Sequence, residues 1–402
     1  MNRINPSRFR IAVIHPSLKA GGGSEAVAVW AMDVLMNEYD LTLITTGSCP
    51  MSSLNEYYGT QIDPAQIQIQ TVPVFPLFKK RFDALRHFNL IRYCKKTAHD
   101  YDIMVSAYNA MDFGKHGIQI IGDFSFDDKV RRQMYSGADG WSDYLYRESI
   151  GRKIYLSLGR ILSGTTEHGW KQNLTIANSF WSASILKEIY GLESRVIYPP
   201  VSIRAKKRSW SDRRNGFIFM GRLVPEKGVD KVISMLQKVR QRGHDIHLHI
   251  LGSLTNTPFC KRIQRLCDDN SDWCYLEGSL SGNRKTDILD QHKYGISGCQ
   301  NEAFGIAVAE MARAGCIVWV PKSGGQMEIV QQESLMYRNP EEAVFLMDEM
   351  LKNESRQIDC QKKLIKASDR FSTDRFKSEI LDVIRNHLGK GEPKYKPQGL
   401  ND

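Results

Sequence analysis

Apolar residues fall along this chain in short runs of four to six, and between them they recur every three or four positions. That rhythm is of buried parallel strands alternating with amphipathic helices. Arg10 to Ile14 reads as a first strand feeding the loop HPSLKAGGGSE, and a helix follows in which Val27, Ala31, Val34 and Leu35 share a face and Ser24 serves as cap. LTLIT at 41–45, DIMVSA at 102–107, IQII at 118–121 and LTIA at 174–177 continue the strands. Phe180 to Tyr190 is predicted as a helix stopped by Gly191, with Asn178 and Ser179 placed to cap it. YPPVS at 198–202 and the charged RAKKRSWSDRRN at 204–215 interrupt the pattern and mark a domain boundary. It then restarts with GFIFMGRL as a strand, VPEKG as a turn, and a helix carrying Val229, Val232, Ile233, Leu236 and Val239. HLHIL, WCYLEG, YGIS and CIVWV are the later strands, SGG at 323–325 is a bare loop at a strand end, and FSTDRFKSEILDVIRNHLGK reads as a closing amphipathic helix. The expectation is an α/β protein of two doubly wound, Rossmann-like domains, residues 1–203 and 204–385. The closing helix lies at about 372–388 and a loosely ordered tail at 386–402.

Candidate chemistry concentrates where Glu302 and Glu310 stand eight positions apart in GCQNEAFGIAVAEMARAG. A helix is expected to open at Phe304, Gly305 and Ile306 and to stop at Gly315, leaving Glu302 on the preceding loop. The unpaired N–H groups of Phe304, Gly305 and Ile306, with the helix dipole behind them, form an anion site suited to phosphate. Glu310 then stands about 6–8 Å further on at about 1.5 Å of rise per residue, a distance that suits ribose hydroxyls. Arg222 and Lys227 leave a strand end and its turn and point two cations at the same place. Three glycines at 21–23, of which Gly22 and Gly23 adjoin the helix, bare the backbone at another strand end, as a ligand site or as a flexible turn. The spacing is not the dinucleotide fingerprint, and no acidic residue follows the next strand. These features argue against a nicotinamide oxidoreductase. Asp123, just after a strand, is placed either to accept from an acceptor hydroxyl or to act as a turn residue.

Length and charge narrow the partners. Four hundred and two residues exceed one ordinary core, and a formal charge of +10 calls for an anionic partner, either a nucleoside diphosphate or an acidic membrane face. Nucleic acid is not expected, because the basic residues are scattered and no zinc-finger or RRM motif accompanies them. No run approaches 18 apolar residues and no signal peptide is evident, so a cytoplasmic location is expected, peripheral on the inner face of the cell membrane. The stretch PVFPLFKKRFDALRHFNLIRYCKKTAH at 73–99 interleaves Phe82, Leu85 and Phe88 with Lys79, Lys80, Arg81, Arg86, Lys95 and Lys96. It reads equally as a membrane contact or a solvated surface helix. The eight cysteines contain no C-x-x-C and are read as reduced thiols, with no structural zinc.

Four blocks in order, KAGGGSE at 19–25, ANSFW at 177–181, FMGRLVPEKG at 219–228, and NEAFGIAVAEMARAG with SGGQMEIV at 301–315 and 323–330, resemble the signature of retaining nucleotide-sugar glycosyltransferases of family four. The resemblance implies the GT-B architecture, two Rossmann-like domains facing each other across a cleft, with the last helix crossing back to the first domain. It implies transfer of a hexose from a UDP- or GDP-sugar to a glycan or lipid-linked acceptor in polysaccharide or glycoconjugate biosynthesis, with retention, no cofactor and no metal. Glu302 would hold the sugar and stabilise the oxocarbenium-like state. Many relatives carry a histidine at the position of Gly122, so a catalytically weak sugar-nucleotide or glycan-binding protein of the same fold stays open as the alternative. A glycogen-phosphorylase-like enzyme is third, lacking here a pyridoxal lysine and the longer chain.

Overall fold

The computed structural model describes residues 8–18, 22–74, 83–130, 150–203 and 208–389. The chain forms two compact units. The first takes in the described residues up to Asp128, those from Ile150 to Pro200, and those from Thr373 on; the second takes in Lys129, Val130 and the described residues from Val201 to Ser372.

The first unit holds a seven-stranded parallel sheet: β1 (Arg10–Ile14), β2 (Asp40–Thr45), β3 (Ile67–Thr71), β4 (Ile103–Ser106), β5 (Ile118–Ile121), β6 (Leu174–Ala177) and β7 (Arg195–Val196), in the order β3-β2-β1-β4-β5-β6-β7. The central strands are buried on both faces, which is why they read as unbroken apolar runs. Helix α1 (Gly23–Leu35) packs beside them. Its cap is Gly22, not Ser24: the Ser24 hydroxyl is one residue inside the helix and donates to Glu25 Oε2 at 2.9 Å. Two further helices, α2 (Asp83–Thr97) and α3 (Ile150–Ser163), pack on each other, and α4 (Phe180–Tyr190) ends at Gly191 in the left-handed conformation (φ 68°). Ser179 caps α4 through Ser182 N–H, whereas Asn178 turns away and donates to Gly122 O at 2.7 Å.

The second unit holds a six-stranded parallel sheet, in the order β10-β9-β8-β11-β12-β13: β8 (Arg214–Met220), β9 (His247–Leu251), β10 (Cys274–Gly278), β11 (His292–Ile296), β12 (Ile317–Pro321) and β13 (Met336–Tyr337). The helices that bear on function are α5 (Val229–Gln241), α6 (Pro258–Asp268), α7 (Gly282–Gln291) and α8 (Ile306–Arg313). The cysteines at 260, 267 and 274 do not share one helix: the first two lie on α6 and Cys274 begins β10, all as free thiols.

The closing helix, α9 (Thr373–Leu388), belongs to the first unit. Phe376, Ile380, Val383 and Ile384 bury their side chains in the core that α1 also faces. Lys377 pairs with Asp33 at 2.6 Å and stands over the Trp30 ring at 4.6 Å, and Arg385 reaches Glu38 at 2.7 Å. Among the described residues no helix is long and apolar enough to cross a membrane.

Candidate active site

The C-terminal ends of β8 and β11 build the centre of the second unit's site. After β8 the chain passes Arg222, which is exposed, and makes a single 3-10 turn at Pro225–Lys227 closed by Gly228 (φ 64°). After β11 it passes Gly298. A Cβ on Gly228 would meet Gly298 O at 2.6 Å, and one on Gly298 would meet Gly228 O at 2.6 Å, so the two loops touch backbone to backbone. This contact brings Lys227 Nζ into a hydrogen-bonded ion pair with Glu302 Oε2, both side chains about a quarter exposed at 23%.

Burial alone would lower the Lys227 pKa and raise that of Glu302. In each case the partner's opposite charge wins, holding the lysine above and the carboxyl below its usual range. Both groups are therefore charged at neutral pH. The adjacent Cys299 thiol is pushed up to about 12 by burial and by the Glu302 charge, so it stays protonated.

The loop carrying Glu302 is braced from the SGGQ segment. Gly325 N–H donates to Glu302 O at 2.7 Å, and a Cβ on Gly324 (φ 77°) would lie 2.5 Å from the same oxygen, which is why this loop is bare. Gln326 is fully buried. Its amide donates to Cys299 O at 2.7 Å and Ser323 O at 3.2 Å and accepts from Ser297 Oγ at 2.9 Å, tying both ends of the loop together. Asn301 holds φ 52°, a left-handed conformation that asparagine tolerates better than most residues.

Helix α8 begins two residues later than the sequence suggested. Gly305 is its N-cap, with φ 98°, and has no side chain to cap it, so among the described residues the end of the helix dipole is open at Ile306 and the residues that follow. Phe304 lies before the helix with its ring in the core, 5.2 Å from that of Phe371. A Cβ on Gly305 would sit 3.3 Å from Gln326 Cβ and 3.4 Å from Glu302 Cγ, so a larger residue would press on both. Glu310 stands one turn on, and its Oε1 accepts from Lys285 Nζ of α7 at 2.7 Å, with side-chain exposures of 14% and 12%. Lys285 was not legible as a site residue, because nothing in α7 by itself points to Glu310.

In the first unit, Gly22 and Gly23 open α1, while residues 19–21 lie outside the described residues. A Cβ on Gly22 would meet Glu25 Oε2 at 1.9 Å, and Tyr58 donates to Gly22 O at 2.8 Å. Asp123 is committed to its own turn: Oδ1 accepts from Asn109 Nδ2 at 2.8 Å and from Ser125 N–H at 2.9 Å. Asn109, itself at φ 57°, also accepts from the backbone N–H groups of Gly122 and Asp123.

Residues 202–369, nearly the whole second unit, match the family Glycosyl transferases group 1. The chain is similar to a GDP-Man:Man(3)GlcNAc(2)-PP-Dol alpha-1,2-mannosyltransferase of Dictyostelium discoideum, 25% identical over 53% of this chain and 47% of that protein. It is also similar to a GDP-mannose-dependent alpha-(1-6)-phosphatidylinositol monomannoside mannosyltransferase of Mycobacterium tuberculosis, 27% identical over 48% of this chain and 51% of that protein. The chain thus spans about half the length of these relatives. Among solved structures it resembles WaaG, a glycosyltransferase involved in lipopolysaccharide biosynthesis, with TM-score 0.68, 16% identity, and coverage of 93% of this chain and 99% of that one. Anabaena HepE in complex with UDP and glucose gives TM-score 0.67 at 15% identity, covering 94% of this chain and 99% of that one. The architecture is that of the GT-B nucleotide-sugar glycosyltransferases, as the sequence motifs implied.

Proposed function

We propose that this chain moves a hexose from a nucleoside-diphosphate sugar to a glycan or lipid-linked acceptor, with retention at the anomeric carbon and without a divalent metal in the transfer step, as family-four relatives do. The observation that carries the reading is the Lys227–Glu302 pair standing before the uncapped start of α8, with Glu310 held one turn further along the same helix.

Breaking the anomeric C–O bond leaves negative charge on the departing phosphate, so fixed positive potential must already be in place. Lys227 spends one of its three N–H donors on Glu302 and keeps two for phosphate oxygens; Arg222 and the open N-terminus of α8 add to the same field. Glu302, held ionised, is a hydrogen-bond acceptor for sugar hydroxyls and a counter-charge for an oxocarbenium-like state, not a proton donor. Glu310 keeps one carboxylate oxygen clear of Lys285 for the ribose. The mannosyltransferase relatives suggest GDP-mannose as donor and a lipid-linked glycan as acceptor, while HepE was solved with UDP.

A second reading is favoured by one observation, that Asp123 is locked into the Asn109 turn beside Gly122, which leaves the acceptor side without an evident base among the described residues. The chain would then bind a sugar nucleotide with turnover too weak to release free sugar. Slow hydrolysis of a panel of GDP- and UDP-sugars in the presence of EDTA separates the two: release of free sugar from one donor supports the transferase, with the product anomer read by NMR. Tight binding with no release from any donor supports the binder.

A further inference from the structure

We propose that His247, His249 and His292 form a binding site for a divalent transition-metal ion of the zinc class, toward the N-terminal ends of the central strands of the second sheet, away from the donor site.

Three strands bring these residues together. His247 and His249 are i and i+2 on β9 and so share a face of the sheet. His292 begins β11, two strands away, and β8 lies between them. The gap is bridged because residue 216 on β8 is glycine: a Cβ there would meet His247 Nε2 at 2.3 Å and His292 Cδ2 at 2.5 Å. The register of β11 on β8 shifts between His292 and Tyr294, and His292 meets the β9 histidines while Tyr294 stacks on Phe217. The ring centroids lie 5.1 Å (His247–His249), 5.2 Å (His247–His292) and 4.5 Å (His249–His292) apart, and one nitrogen from each ring lies within 4.8 Å of the other two. A tetrahedral ion with metal–nitrogen bonds of about 2.0–2.1 Å needs those nitrogens roughly 3.3 Å apart, a closure within reach of small side-chain rotations.

The outer hydrogen bonds select the ligating form. His292 is 1% exposed; its Nδ1 lies 2.6 Å from Ile288 O and so carries the proton, leaving Nε2 as a buried lone pair with no partner among the described residues. His249 Nδ1 lies 2.7 Å from Glu277 Oε1, the carboxylate–histidine arrangement that orients metal-binding imidazoles. His247 makes no side-chain hydrogen bond among the described residues. Burial draws His247 down to about 4 and His292 to about 3, so both are neutral near pH 7, helped by the nearby Arg214 charge. Three imidazoles suit zinc, cobalt, nickel or copper rather than magnesium or calcium, and leave a fourth position for water. Gly216 lies near the start of β8 and Arg222 just past its end, roughly 20 Å away at about 3.3 Å per residue, so an ion here stabilises the fold and takes no part in transfer.

The test is titration of the full chain, stripped by chelator, with Zn²⁺ by calorimetry and Co²⁺ by visible absorption. One ion per chain is expected, with tetrahedral cobalt bands and a melting temperature that rises on Zn²⁺ addition and falls with EDTA while donor hydrolysis is unchanged. His249→Gln should weaken binding at least 100-fold and Glu277→Gln about 10–100-fold. Glu277→Gln also serves where His292→Gln fails to fold. No stoichiometric binding, or binding that His249→Gln and Glu277→Gln leave unaltered, overturns the proposal and makes the cluster three packed neutral histidines.

Discussion

Lys227 and Glu302 neutralise each other at the point where two loops meet backbone to backbone, and each holds the other's proton state fixed across the physiological range. Removing the carboxylate frees the third lysine donor, so the two partners should respond in opposite ways. Glu302→Gln is expected to lower kcat by about 10²–10³-fold or more, the scale of losing one charge-stabilising group, while nucleoside-diphosphate affinity stays equal or rises. Lys227→Ala should weaken nucleoside-diphosphate binding. Equal loss of affinity in both variants, measured by calorimetry, would remove Glu302 from the sugar side of the site.

The contact that places this pair can be broken without touching it. Gly298→Ala puts a methyl group into Gly228 O, which lies 2.6 Å from the required Cβ position, and overpacking of this kind costs roughly 1–3 kcal/mol. The expected result is a lowered melting temperature together with a fall in kcat, since the β8 and β11 loops must part. A fully active, equally stable alanine variant would mean that the two loops position nothing.

Glu310 and Lys285 should act together on the nucleotide. A charged hydrogen bond to ribose is worth about 1.5–3 kcal/mol, so Glu310→Ala is expected to weaken nucleoside-diphosphate binding about 10–100-fold. Lys285→Met, which leaves the carboxylate without its 2.7 Å partner, should weaken it by less. If either variant binds UDP and GDP as the parent does, Glu310 is a surface-pair residue.

How far these features could be read from the sequence follows from their range. β5 and β6 match the expected IQII and LTIA, because a strand buried on both faces is a short apolar run between turn residues, and α4 stops at the expected Gly191. The edge strand β3 was missed: Ile67–Thr71 reads IQIQT, and its mostly exposed positions leave only a weak alternation. Glu302 and Glu310 were legible because they flank one helix start. Lys285, Gln326 and the pairing of Gly228 with Gly298 were not, since each contact joins segments more than twenty residues apart. His292 likewise gave no signal that it would meet the H-x-H of β9, which depends on the single glycine between them.

Acid should weaken the first unit through His15. It is 1% exposed at the end of β1, and burial draws its imidazole down to about 4; Nδ1 accepts from the Ser17 N–H, a bond that the neutral ring makes and a proton on that nitrogen would break. Between about 6.5 and 4 the unfolded chain takes up a proton that the folded chain refuses, so this contribution is intact above about pH 6.5 and is lost as pH falls toward 4. The gap corresponds to at most about 3.5 kcal/mol. Melting temperatures from pH 7.5 to 4 should fall in the parent and fall less in His15→Gln; parallel curves would show that another group sets the acid limb.

The basic stretch expected to touch a membrane is answered only in part by the structure, and the helix beside it presents an exposed apolar face. Residues 75–82, with Lys79, Lys80, Arg81 and Phe82, lie outside the described residues. In α2 the Phe88 ring fills the space over Gly159 of α3, the Leu85 N–H donates to Tyr155, and Lys95 turns inward to Asp112 at 2.9 Å, so these residues are taken up by packing. What faces outward is the opposite side of α3: Ile154, Leu158, Ile161 and Leu162 are 55%, 53%, 74% and 62% exposed, at the i, i+4, i+7 spacing of one helix face. Exposed Arg92, Lys96 and Arg160 accompany them on the same pair of helices. An apolar face with exposed cations on the same pair of helices suits the boundary of an anionic bilayer, where each cation adds about 1 kcal/mol and each fully buried leucine or isoleucine about 1.5–3 kcal/mol. The chain should therefore sediment with vesicles containing anionic lipid and poorly with neutral ones. Leu158→Glu with Ile161→Glu should lower that partition at least ten-fold at any salt, whereas Arg92→Glu with Lys96→Glu should lower it mainly at low salt. Donor hydrolysis should be unchanged in both. Vesicle binding by the Leu158, Ile161 variant as strong as that of the parent would leave α3 as an ordinary surface helix and shift the acceptor toward a soluble glycan.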